Sequence, residues 1–249
     1  MISPTNVGLI MGMGNRSRPT AAGRCFLATV GVLVLFTIAR QFGWLGPPAA
    51  SESILIAVLV VVAMSTHATL ADIGLARSDA RAGVLYGAGA LAAVALVLVL
   101  AAVIPATNGF LHDSRAQISG GRLLYQLGVE VILLTAIPEE LAFRGLLLGA
   151  GLKLWGPWRA TLISSALFGL WHIAPTLGTM RDNREVSGAV SSVGGQVLVV
   201  LGAVAVTFVA GLVFSWLRLR SKSLIASILA HVATNGVALT VAWFAVHWQ

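Results

Sequence analysis

The chain has 249 residues; 57% are hydrophobic and only 10% are charged, with 16 basic residues against 9 acidic ones. A soluble domain carries about 25% charge, so a globule this poor in charge would lack the residues to cover its surface, and a disordered chain would be far more polar. The net charge of +7 is scattered over loops and not gathered in one patch, which points to membrane topology and away from nucleic acid.

A bilayer-crossing helix needs about 20 apolar residues, so the apolar content suffices for about seven spans. The expected fold is all-α, a polytopic transmembrane helical bundle of about seven spans, with eight as the alternative. Residues 1–23 read as a cytoplasmic tail carrying Arg16 and Arg18, with no cleavable signal peptide. The first span is expected over 24–39 and the second over 53–73, separated by a Gly43–Pro48 turn. A charged connection over 71–81 leads to the third, 82–106, whose Gly83 and Gly87 suit close helix packing.

A polar loop over 107–122 precedes a long helical stretch, 123–155, which Pro138 should kink by removing the hydrogen bond to the Leu134 carbonyl. The fifth span is expected over 159–180, the sixth over 196–217 and the seventh over 223–248, with a Gly/Ser-rich loop at 181–195. Residues 24–122 thus form three generic spans, and 123–249 form the part that carries chemistry. With the N-terminus inside, ten loop or span-end Lys and Arg fall inside and five outside. The positive-inside rule therefore favours a cytoplasmic N-terminus. The single Cys25 excludes an intramolecular disulfide and reads as a small apolar residue.

Charges inside a membrane are costly, so each is a functional candidate. Glu130, Glu139, Glu140 and Arg144 fall inside expected helices, and His172 and His231 lie deep in apolar stretches. Glu140 and Arg144 are i,i+4 neighbours on one face. Glu139 points about 100° away and lacks a local cation, which suits a general base. The alternative for this cluster is a packing ion pair. Phe168 and His172 share a face beside Gly169, as packing residues or as a proton carrier. His231 and Asn235 are also i,i+4, either as an interhelical hydrogen-bond pair or as donors to an oxyanion. Glu130 is expected to face and pair with another helix. Trp171 is a candidate for lining a cavity, whereas the other tryptophans fall near span ends, as an aromatic belt does. By helix rise, Glu139, His172 and His231 lie about 24, 20 and 12 Å from the inner boundary, so they can meet nearer the inner face.

Glu139-Glu140-x-x-x-Arg144, Phe168-x-x-x-His172 and His231-x-x-x-Asn235, in this order, resemble the motifs of the CPBP family. That family includes the type II CAAX prenyl endopeptidases, also named ABI or Rce1-type proteases. The resemblance covers about 123–249. It implies an integral-membrane endopeptidase in which Glu139 and His172 activate water, His231 and Asn235 stabilise the oxyanion, and Glu140 and Arg144 support them. Its partners would be the lipid bilayer and a peptide or membrane-protein substrate with a membrane-embedded or lipid-anchored segment. The expected location is a bacterial cell membrane. No His-Glu-x-x-His zinc motif is present. A glutamate, His172 and His231 would supply three zinc ligands in the alternative reading, and the metal-free reading is preferred. Two rival functions stand beside this one, a non-catalytic bacteriocin-immunity or scaffolding protein and an ion-coupled transporter.

Overall fold

The computed structural model describes residues 17–103, 116–182 and 192–247. Most of the N-terminal tail and of the loops expected at 107–122 and 181–195, together with His112, lies outside the described residues. Among those described there is no strand, and the helices form one bundle.

Helix α1 (Ser17–Gln41) and α2 (Pro48–Ser65) are joined by a turn in which Gly43 and Gly46 both take φ of 70°. That conformation is open to glycine at little cost. The second span ends at Ser65, earlier than the expected 73, because Thr66–Ala76 form turns. His67 there adopts φ of 54°. A short 3₁₀ turn, Arg77–Asp79, leads into α3 (Ala80–Val103). Its Gly83 and Gly87 pack against the last span. A Cβ on Gly87 would come within 2.7 Å of Leu229, and one on Gly83 would strike Ser223.

The stretch from Gly120 to Trp171 is helical almost throughout, but its register alternates. It comprises α4 (Gly120–Tyr125), a π-helical run Gln126–Ala136, α5 (Ile137–Glu140), a second π run Leu141–Leu147, and α6 (Leu148–Trp171). At Pro138 the chain stays helical: Ala136 and Ile137 keep helical dihedrals. Pro138 sits in the first turn of α5, where the register returns from π to α and its missing N–H costs little. The sharp break lies instead inside α6, at Gly156 (φ 77°, ψ 177°). The following Pro157 disfavours helical dihedrals at position 156, and glycine supplies the positive φ.

After His172 come α7 (Ile173–Asp182) and α8 (Val193–Ser221). The last span is α9 (Leu224–Val232), a π turn Ala233–Val237, and α10 (Ala238–His247). Among the described residues, five helical segments are long and apolar enough to cross a membrane: Thr20–Gln41, Pro48–Ser65, Arg77–Ala101, Val193–Ser221 and Leu224–His247. The protein is an integral-membrane helical bundle. The helices not in that group, between Gly120 and Asp182, hold the fully buried Glu140 and Arg144.

Several loops are fixed by named contacts. Arg218, nearly buried, donates to the backbone carbonyl of Asp72 at 3.1 Å and lies so close to Gly74 that a Cβ there would overlap its guanidinium. The Asp72 carboxylate receives Lys153 at 2.6 Å. Gly145 and Gly149 face this same connection; a Cβ on Gly149 would lie 2.5 Å from the Asp72 carbonyl oxygen. Cys25 is buried in the apolar core.

Candidate active site

Glu140 and Arg144 are both 0% exposed, and Arg144 Nη1 donates to Glu140 Oε1 at 2.9 Å. Two desolvated charges gain little net stability even when paired, so their burial asks for another reason. The guanidinium is enclosed by aromatic faces. Its central carbon lies 4.0 Å from the Phe168 ring centre, 5.1 Å from that of Phe214 and 6.0 Å from that of Phe143. Such stacking offsets part of the desolvation of a weakly hydrated cation. Gly211 makes room for it: a Cβ there would lie 3.1 Å from Arg144 Nη2 and 3.0 Å from the backbone of Ser165.

The same Glu140 oxygen also lies 3.0 Å from His231 Nδ1. A carboxylate oxygen accepts, so Nδ1 carries the proton of this bond. His231 is held further by Phe214, stacked at 5.3 Å, and by the edge of Phe168 at 5.9 Å. Its Nε2 thereby points toward Glu139, whose Oε2 stands 3.8 Å away. That separation exceeds hydrogen-bond length. Glu139 Oε2 is buried and has no hydrogen-bond partner among the described residues, whereas Oε1 accepts from Trp171 Nε1 at 3.2 Å.

His172 caps α6 and is half-buried. Its Nδ1 lies 2.8 Å from the Phe168 carbonyl oxygen, which can only accept. The neutral ring therefore keeps its lone pair on Nε2. Phe168 meets His172 edge-on at 4.7 Å. Gly169 lets α8 approach closely, since a Cβ there would be 2.9 Å from the Val204 carbonyl oxygen. Glu139, Glu140, Arg144, Trp171 and His231 are thus joined by direct contacts, and Phe168 ties His172 to the same cluster. Asn235 is placed differently. It is exposed on the π turn Ala233–Val237, and its side chain makes no hydrogen bond among the described residues. The change of register alters the side-by-side alignment with His231 that a regular α-helix would give.

The N-terminal half also reaches the site. Phe36 of α1 stacks on Trp171 (6.0 Å, 19°), and Arg40 lies 5.9 Å over Phe36. Arg40 is bonded to Glu52 at 2.7 Å. Spacing along the chain carried no sign of Phe36, Gly211 or Phe214, because α1 and α8 carry none of the motif residues. Glu130 corrects an expectation. It pairs with Arg122 at 2.7 Å, within its own helical run, and both side chains are partly exposed, so the long arginine reaches it without another helix.

The described residues contain no group of three His, Cys, Asp or Glu side chains at metal-ligand spacing. Glu139 Oε2 and His231 Nε2 face each other at 3.8 Å, and the Glu140 bond on Nδ1 leaves Nε2 free. No step below is routed through a metal.

Residues 122–237 match the family model of the type II CAAX prenyl endopeptidases, Rce1-like. Over that segment the chain is similar to the Rce1-like family. The match spans all three motifs and every residue of the buried ion cluster. That family is one of CAAX-type intramembrane proteases, which are membrane endopeptidases and hydrolases. No curated protein and no solved structure matches the chain.

Proposed function

We propose that this Rce1-like protein cleaves a peptide bond within the bundle by glutamate-activated water, close to a membrane-embedded or lipid-anchored segment of its substrate. The observation that carries this reading is the buried, hydrogen-bond-free Oε2 of Glu139 beside His231 Nε2. A carboxylate oxygen held in place through its partner oxygen and left free itself is suited to take a proton from water. His172, with its Nε2 lone pair, accepts or returns a proton to the leaving amine. His231 stabilises the oxyanion from Nε2 when both ring nitrogens are protonated, its Nδ1 side anchored on Glu140. Asn235, exposed on its π turn, adds a second donor once substrate enters. Glu140 and Arg144 hold His231 and carry no proton in this scheme.

The proposed setting is a bacterial cell membrane with the N-terminus cytoplasmic. The clustering of Arg24, Lys153, Arg218 and Lys222 at one end of the bundle supports that orientation. The test is cleavage of a fluorogenic lipid-anchored peptide by the purified protein. Glu139→Gln and His172→Ala should each lose about 10²–10⁴-fold in turnover while remaining folded. Wild-type rates in either variant would overturn the mechanism.

A further inference from the structure

A cavity of about 760 Å³ opens at the basic end of the bundle, away from Glu139 and His231. It lies between α1, the Thr66–Ile73 connection and the helical run that carries Glu140 and Arg144. Its floor is made of small residues, Ala22 on α1 and Gly145, Gly149 and Ala150 opposite. Arg24, His67 and Lys153 line it as well. Lys153 is bonded to Asp72, but Arg24 is exposed and makes no ion pair among the described residues. With two cations and one carboxylate, the lining is net positive when His67 is neutral.

Tryptophans mark the depth of the opening. Trp155, two residues beyond Lys153, meets Phe26 edge-on at 4.9 Å, and Trp158 is 72% exposed just past the Gly156 break. Tryptophan at span ends sits at the level of lipid headgroups. The rest of this end is basic too, with Arg77, Arg81, Arg159, Arg220 and Lys222 nearby in the chain turns. A net-positive, headgroup-level opening over an apolar small-residue floor complements one amphiphile above others. A volume of several hundred Å³ is that of a small-molecule site.

We propose that this cavity binds an anionic phospholipid, its phosphate held by Arg24 and Lys153 and the upper part of an acyl chain on the Ala22–Ala150 floor. The lipid would touch Gly145 and Leu146, immediately after Arg144, and so brace the helical run that carries the ion cluster. Binding does not depend on the proteolytic reading, and its test does not use cleavage.

The experiment measures lipid retained by the intact protein in mass spectrometry after transfer from nanodiscs of mixed phosphatidylcholine and phosphatidylglycerol. The wild type should retain phosphatidylglycerol in preference. Arg24→Gln should lower that retention about fivefold, the effect of about 1 kcal/mol per basic residue near an anionic lipid. Arg24→Lys should restore most of it, and Ala21→Phe, which fills the cavity from α1, should abolish it. Arg159→Gln, at the same end but outside the cavity, should leave it unchanged. Full retention by Arg24→Gln or Ala21→Phe would overturn the proposal. So would an equal loss in Arg159→Gln, which would mean diffuse surface charge. Displacement of the lipid by soluble glycerol phosphate at millimolar level would likewise defeat it, since a headgroup-only site needs no chain floor.

Discussion

His231 Nδ1 lies 3.0 Å from Glu140 Oε1, a hydrogen bond that joins residues 91 positions apart. The same oxygen takes Arg144, so one carboxylate fixes both a helical ion pair and the orientation of an imidazole on another span. Removing one member leaves the others charged and buried. Arg144→Met should lower stability by about 3–5 kcal/mol, the range for an orphaned buried charge. Glu140→Met/Arg144→Met together should recover much of that, because neither charge is then stranded. Thermal unfolding in detergent distinguishes them, and a double variant no more stable than the single one would contradict this account.

Trp171 holds the Glu139 oxygen that is not free. Trp171→Phe keeps the ring and removes the donor. A hydrogen bond to a charged group is worth about 1.5–3 kcal/mol, so turnover should fall about 10–100-fold with KM little changed. Equal losses in KM and turnover would indicate a role in substrate binding instead.

Gly211 is predicted to resist substitution although alanine is the better helix former. The added methyl would press on Ser165 and Arg144 together. Gly211→Ala should cost about 1–3 kcal/mol from overpacking, read as a lowered Tm. Gly202→Ala on the same helix, where nothing lies within 4 Å, should be neutral or slightly stabilising.

The Asp72 carboxyl lies outside the membrane-spanning segments and titrates. Partial burial pushes it upward, but the hydrogen bonds from Lys153 and Thr69 outweigh that and hold it below its ordinary 3.8. A carboxyl lowered on folding adds stability above its unfolded value, and that stability is lost as pH falls through the folded one. The increment belongs near and below pH 4. Both side chains of the pair are partly exposed, so it should be about 0–1 kcal/mol. Unfolding of Asp72→Asn followed from pH 6 to 3 should show a shallower acid loss than the wild type.

The helical class and the ion cluster were legible because charge is so scarce here: Glu139, Glu140 and Arg144 stand out in an apolar background. The i,i+4 relation of Glu140 to Arg144 survived even a π-helical run, since both side chains stay on the buried face. The link from Glu140 to His231 was not legible, because spacing says nothing about which of two acidic neighbours a distant imidazole will meet. Pro138 leaves the helix unbroken, because it falls where the register changes from π to α. A proline breaks a helix only where its missing N–H is needed, and a change of register removes that need. The real break at Gly156-Pro157 had a local signature, glycine before proline, in a stretch that hydropathy alone reads as a span boundary.

The stacking of Phe36 on Trp171 bears on how this chain is divided. A fragment cut just before residue 122 would keep each motif residue and the whole family match, yet it would leave the indole beside Glu139 bare on one face. The border that similarity draws across this chain therefore passes through the middle of a working unit, and the less recognisable half is the wall against which the recognisable half is set.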